Sequence, residues 1–196
     1  GPEKIDINRM PKGVICKSVE EPAIENSDVV LSLGTLSEDI LRKLRFVKRA
    51  FKEGLTAKIN LTKSLSNKHE ELVIHFIKTH PNLRDDEIKY IFNWKIALQN
   101  KRSILFEVYK GEQLTGFSIL STFSMRMPTY AYGFFDNSIK GTSDMAHMQM
   151  ICYAIENEKE DIDLGYSIHK DLLRYKTKWG NAKLLDPPWN IVLSTD

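Results

Sequence analysis

"DIDLGYSIHKDLLRYKTKWG", residues 161–180, is the stretch on which the fold of this chain turns. Its first part, DIDLGYS, is a short, largely apolar run broken by Gly165, the pattern of a strand. Directly after it, Leu172, Tyr175 and Trp179 recur at helical spacing and predict a helix over 169–179 with those side chains turned inward. Gly180 stops that helix. Arg174, Lys176 and Lys178 are crowded among the aromatic residues. A strand that runs straight into a basic, aromatic helix allows two readings. The positive charge is either an ordinary solvated face or is turned toward something that reacts.

Working outward, the sequence alternates between helix and strand signals. Residues 28–33, DVVLSL, read as a strand. Ser37 then has the form of an N-cap, with Glu38 and Asp39 in the first turn of a helix that Gly54 ends. Ile40, Leu44, Val47 and Phe51 make its apolar stripe, and Arg42, Arg45, Arg49 and Lys52 share another face. LTAKINL follows as a strand. Helices are expected over 68–79, burying Leu72, Val73, Phe76 and Ile77, and over 85–99, with Ile88, Ile91, Phe92 and Ile96 in register. SILFEVYKGEQLTGFSILS alternates on both sides of Lys110-Gly111-Glu112, which is a hairpin signal. TYAYGFF is a further strand, and 143–158 a helix with Met145, Met148, Cys152 and Ile155 inward. AKLLDPPWNIVLS reads as two short strands broken by Pro187-Pro188. An α/β protein with a mixed sheet flanked by helices buries these faces most economically.

Composition narrows the class. A chain of 196 residues with 42% hydrophobic and 28% charged residues is large enough for one well-buried core. A net charge of +2 is too mild to argue for nucleic acid by itself. Cys16 and Cys152 have no metal-type spacing, and two thiols suit a reducing compartment. No run of eighteen apolar residues and no signal-peptide core occur, so a soluble cytoplasmic protein is expected. His69, His75 and His80 are six and five residues apart, not the four that would put two imidazoles on one helix face, so no metal site is expected.

The element order resembles the GNAT acyltransferase fold, and within it the branch of Fem-type aminoacyltransferases and related predicted acetyltransferases. Three stretches carry the likeness: LSEDILRKLRFVKRAFKEGLTAKI, ILFEVYKGEQLTGFSIL and DIDLGYSIHKDLLRYKTKWG. The last ends in the aromatic-Lys-x-x-aromatic-Gly pattern of that branch as Tyr175-Lys176-Thr177-Lys178-Trp179-Gly180. LGYSIH and RYK are also similar to arginyl-tRNA–protein transferases. The resemblance covers roughly residues 33–196 and implies an N-terminal extension with one strand over 1–36 and a single GNAT-like domain over 37–196. It also implies acyl transfer from an activated donor to a primary amine of a small molecule or peptide. The donor is expected to be an acyl-CoA, with aminoacyl-tRNA as the alternative carrier; a GNAT-shaped module that binds without catalysing is the third reading. Oligomeric state is not legible.

Two departures from the family pattern shape the expected site. Acetyl-CoA-dependent members carry Arg/Gln-x-x-Gly-x-Gly/Ala before a helix. Here Ser138-Ile139-Lys140-Gly141-Thr142-Ser143 keeps only the middle glycine. The cradle for the donor's phosphates is therefore expected from Ser138, Lys140, Gly141, Thr142 and Ser143 at a helix N-terminus, against the alternative of a simple cap and turn. Asp144 in that first turn would repel a phosphate unless it pointed away. Ordinary members also place a tyrosine acid four residues before the closing glycine, where this chain has Lys176, as Fem-type enzymes do. That resemblance assigns Lys176 to the reacting carbonyl or the donor's phosphate; otherwise it is a solvated helix lysine. Tyr166 is the candidate phenol for a proton relay or acceptor contact, and His169 a candidate base or else a surface residue. Tyr175 is read as packing, His147 receives no role, and Asp136 is read as a turn residue before a ligand contact. Without a reactive cysteine register or a Gly-x-Ser-x-Gly elbow, transfer is expected by direct attack. The Arg42/Arg45/Arg49/Lys52 face is either a solvated helix surface or the phosphate contact a tRNA donor would need.

Overall fold

The computed structural model describes residues 14–16, 27–167, 170–185 and 191–193. In chain order the elements are β1 (Val14–Cys16), β2 (Ser27–Ser32), α1 (Glu38–Lys43), α2 (Arg45–Lys52), β3 (Leu55–Asn60), α3 (Asn67–Thr79), α4 (Asp85–Phe92), α5 (Trp94–Gln99), β4 (Ser103–Lys110), β5 (Gln113–Ser121), β6 (Thr129–Phe135), α6 (Thr142–Glu156), β7 (Asp161–Ser167), α7 (Lys170–Thr177), β8 (Ala182–Leu185) and β9 (Ile191–Leu193). Seven strands form one sheet in the order β3-β4-β5-β6-β7-β2-β8, and β1 pairs with β9 apart from it. Every neighbouring pair in the large sheet is antiparallel except β6/β7, which is parallel. This is the expected mixed α/β sheet. Strand β2, the one strand expected in the N-terminal stretch, lies inside it between β7 and β8.

Alternation along the central strands sorts side chains onto two faces. Phe106, Val108 and Leu120 join α1, α2 and α6 in one cluster, with Leu41, Val47, Ala50, Met150, Ile151 and Trp179. Leu105, Phe117, Ile119 and Phe134 face the other way, against Leu72, Val73, Ile91, Trp94 and Leu98 of α3 to α5. The hairpin turns where expected, with Gly111 at φ +61°, a left-handed conformation that favours glycine.

Two of the expected helices are broken, and the breaks explain which apolar residues were misplaced. Ser37 caps α1 by accepting from the Ile40 amide at 3.3 Å, as read, but Leu44 is extended (ψ 134°) and α2 restarts from it. The restart resets the helical phase, so Leu41, Val47 and Ala50 are buried while Ile40 and Phe51 are exposed. Asn93 likewise separates α4 from α5; Phe92 and Ile96 are 59% and 67% exposed, and Ile91, Trp94 and Leu98 face the core. Helix α6 differs in the opposite sense. Ten of its fifteen residues are buried, on all sides, because α2 covers the flank that a surface helix would give to water.

Candidate active site

The parallel strands β6 and β7 are bridged at a single pair, Thr129 with Asp163. The Asp163 amide also donates to the Pro128 carbonyl at 2.9 Å. Beyond this point β6 stays with β5 and β7 stays with β2, and among the described residues no further pair joins them. Bulges bend both strands where they part. Ala131 is an extra residue on β6 between Tyr130 and Tyr132, and β7 gains one across from Val29, where Leu164 and Gly165 oppose a single position. Gly165 is at φ +79°, and its amide donates to Asp163 Oδ1 at 2.7 Å. A Cβ there would also stand 3.4 Å from the Tyr130 carbonyl and 3.7 Å from Lys176 Nζ.

Lys176 therefore sits at the root of this gap. Its residue is 3% exposed, and Nζ donates to the Gly165 carbonyl at 2.7 Å. Burial pulls its pKa down to about 8, against the opposing charges of Asp163 and Asp28. Asp28 in turn is raised, by burial and then by Asp163, with Lys176 acting the other way. The solvated-face reading does not fit this lysine. It fits Arg174, which is exposed.

The crowding after Lys176 has its own explanation. Trp179 is in the core, edge-on to Phe46 with centroids 4.8 Å apart. Lys178 Nζ lies over the rings of Tyr175 and Phe46 at 3.9 and 4.2 Å, and pairs with Asp144 Oδ1 at 2.5 Å. The charge is thus held between aromatic faces and one carboxylate.

His147 was missed by sequence reasoning. It is 3% exposed, ringed by Tyr130, Tyr175 and Trp179 with centroids 4.9, 5.2 and 6.1 Å away. Burial lowers its pKa to about 4, with the Ser143 hydrogen bond opposing and Lys176 adding, so the ring is neutral near pH 7. In that form Nδ1–H donates to the Ser143 carbonyl at 2.9 Å, and Nε2 finds no partner among the described residues. The available signal was the sparse charge between 145 and 155, which marks a helix buried all round rather than on one stripe. Tyr130, at the parting of the strands, was also passed over; burial pushes its phenol well up. Its hydroxyl occupies the space above Gly133, where a Cβ would fall 1.9 Å from it.

The expected phosphate loop opens into a cleft of about 240 Å³ lined by Arg49, Lys140, Ser143, Asp144, Tyr175 and Lys178, among others. Its hydroxyls are partly committed. Ser138 donates to Asp136 Oδ1 from both its amide (2.9 Å) and its hydroxyl (2.6 Å), which makes Asp136 a turn residue, and Thr142 Oγ1 donates to the Ile139 carbonyl at 2.9 Å. Gly141 is at φ +92°, and a Cβ on it would approach Ala50 Cβ to 2.9 Å, so packing of α6 on α2 already requires glycine here. Asp144 does not point away: it lines the cleft, paired with Lys178 and 3.8 Å from Arg49. Of the basic face on the first two helices, Arg49 reaches this cleft, while Arg42 pairs with Glu38 at 2.6 Å. The backbone of Tyr166 lies in β7 opposite Asp28, its side chain is outside the described residues, and so is the whole of His169. Among the described residues, no three His, Cys, Asp or Glu side chains are grouped to hold a metal, and no helix is long and apolar enough to cross a membrane.

No protein-family model and no curated protein matches this sequence. Solved structures do match. FemX aligns at TM-score 0.62 and 14% identity, over 88% of this chain and 63% of that one. The C-terminal domain (DUF2156) of an Agrobacterium fabrum protein described as a lysylphosphatidylglycerol synthetase aligns at 0.58 and 15%, over 79% and 49%. L-PGS from Bacillus licheniformis aligns at 0.55 and 10%, over 79% and 56%. The chain thus spans between about half and just under two thirds of the length of these structures. At such identities the likeness speaks to architecture alone, and with the parted parallel strands, the buried helix and the closing basic helix it shows that this chain has a GNAT-like fold.

Proposed function

We propose that the protein is an N-acyltransferase that moves an acyl group from an activated donor, an acyl-CoA, onto a primary amine by direct attack. The observation that supports this best is the buried ammonium of Lys176 at the root of the unpaired gap between β6 and β7. Backbone groups along the edges of two parted strands can pair with an extended donor arm, as a third strand would. The acceptor nitrogen attacks the thioester carbon, the carbonyl oxygen gains negative charge opposite Lys176, and collapse breaks the carbon–sulfur bond. The leaving thiolate takes up the proton that the attacking nitrogen gives up. The protein's part is to orient the donor and stabilise the oxyanion. In the loop cleft, Arg49, Lys140 and Lys178 outnumber Asp144, which suits the donor's phosphates. Tyr166 and His169 remain the proposed acceptor-side groups.

Coenzyme A at millimolar concentration should raise the melting temperature. A site with Kd near 10 µM gains about 2.7 kcal/mol at 1 mM ligand. Arg49→Glu should abolish that shift, and it is a better probe than any change at Gly141, where packing fails first. No shift in the unmodified protein would count against acyl-CoA as donor.

An aminoacyl-tRNA donor is the second reading, favoured by the carboxylate of Asp144 in the first turn of α6, which makes this a poorer pyrophosphate seat than an all-amide loop. It predicts RNA binding that weakens steeply between 50 and 200 mM salt and falls further with Arg45→Glu and Arg49→Glu. Salt-insensitive or absent binding excludes it.

A further inference from the structure

On the face of the sheet away from α6, at its β3 edge, a second polar cluster surrounds a cleft of about 400 Å³. Ser66 precedes α3 and is exposed; its Oγ lies 3.2 Å from His69 Nδ1. His69 Nε2 lies 3.0 Å from Glu107 Oε1, and both residues are almost wholly buried, at 2% and 3% exposure. Asn60 Nδ2 donates to the same carboxylate at 2.8 Å, and the Tyr109 hydroxyl donates to its other oxygen at 2.9 Å. The Ser66 amide donates to His69 Nδ1 at 3.1 Å, which assigns the proton to Nε2 and leaves Nδ1 as the acceptor. A hydroxyl, an imidazole whose far nitrogen is held by a buried carboxylate, and a cleft that all three line form the sequence of a nucleophile, its base and the base's orienting group.

The link between Ser66 and His69 is also a capping box. Capping explains that contact and nothing beyond it. It does not require a carboxylate buried under the imidazole, three donors converging on that carboxylate, or an open cleft above it. Burial alone would raise the Glu107 pKa, yet the hydrogen bonds from His69, Asn60 and Tyr109 outweigh it and keep the group ionised. The cap position adds one further element. The amides of Asn67 and Lys68, in the first turn of α3, have no carbonyl four residues back in the helix to receive them and can face an oxyanion formed at Ser66.

We propose that Ser66, His69 and Glu107 form a second active site, separate from the Lys176 gap, that hydrolyses small activated carboxylic esters. Ser66 Oγ bonds to the ester carbon as its proton passes to His69 Nδ1. The carbon–oxygen bond to the leaving group then breaks, and His69 returns the proton to that alkoxide. Water attacks the acyl-serine by the same route, giving its proton to His69 and regenerating Ser66 with release of the acid. Exposed Leu61 and Leu65 offer a wall to a short apolar acyl group, and Lys58, whose Nζ lies 4.3 Å above the Tyr109 ring, suits an anionic leaving group.

The test treats the full chain with a fluorophosphonate probe and follows intact mass, with p-nitrophenyl acetate hydrolysis in parallel. Attack at phosphorus by Ser66 releases fluoride, so one adduct per chain is expected, mapped to Ser66 by peptide sequencing. Ser66→Ala, at an exposed position, should lose both the adduct and hydrolysis above background while keeping its circular dichroism spectrum. Glu107→Gln should slow labelling by about 100-fold. If Glu107→Gln does not fold, Ser66→Cys supplies the second reading: its thiol should alkylate with iodoacetamide faster than the chain's two native cysteines. Labelling at another residue, an unchanged rate in Ser66→Ala or in folded Glu107→Gln, or a Ser66→Cys thiol no faster than the native ones overturns the proposal.

Discussion

Replacing Lys176 by methionine is expected to lower the rate of acyl transfer by about 100-fold, the loss of roughly 3 kcal/mol of transition-state stabilisation. The same substitution separates catalysis from folding through pH. In the folded protein Lys176 titrates at about 8, against an ordinary value of 10.5. Between those values the unfolded chain holds a proton that the native state lacks, so stability rises with pH across this window. Below pH 8 both states are protonated, and the cost of burying the charge is present in full. The wild-type protein should therefore gain up to about 3 kcal/mol relative to Lys176→Met between pH 8 and pH 10.5, measured by denaturant melts. Activity moves the other way. Transfer rises with pH as the acceptor amine loses its proton, then falls as Lys176 loses its own near 8. Lys176→Arg keeps its charge throughout and should lose that falling limb even at a reduced rate. A Lys176→Met protein that transfers as fast as wild type sinks the proposed role.

Trp179→Ala should cost about 4 kcal/mol and lower the melting temperature by roughly 10 °C. Trp179 ties the end of α7 to Phe46 on α2 and stacks on His147 of α6, so its removal empties the junction of three helices. Trp179→Phe is the informative comparison. The indole Nε1 is buried without a partner among the described residues. Phenylalanine loses packing volume but also removes that unsatisfied donor, and the two effects should nearly offset, leaving a loss of about 1 kcal/mol. A Phe substitution as damaging as Ala would mean that the N–H is bonded in solution. Because this junction also backs Lys178 and His147, transfer in Trp179→Ala should fall at temperatures well below its melting point.

The difference between the two residues of one helix, Arg174 and Lys176, marks the limit of reading from sequence. Both are basic, two positions apart, and local spacing treats them alike. One is exposed and the other is 3% exposed because the bulged β7 brings the Gly165 carbonyl to meet it. His147 shows the same limit from the other side: its burial comes from Tyr130 of β6 and from Tyr175 and Trp179 of the closing segment, which meet it only in the packed fold. Ser66 and Glu107 are 41 positions apart and meet through His69 only once β4 is laid beside β3.

Local chemistry by itself determined the strands and their alternation, the hairpin at Gly111, the cap at Ser37 and the succession of elements that makes the sheet mixed. Those depend on backbone preference and on the period of apolar residues, which neighbours in the chain carry between them. It did not show the breaks at Leu44 and Asn93, since a break resets a period without announcing itself in composition. Only the tertiary structure decided where β6 and β7 part, which lysine is buried beside them, that Asp144 turns into the loop cleft, and that an imidazole stands between Ser66 and Glu107. Each of these is a meeting of side chains distant in sequence, set by how layers pack and where strands bulge, and no local pattern encodes it.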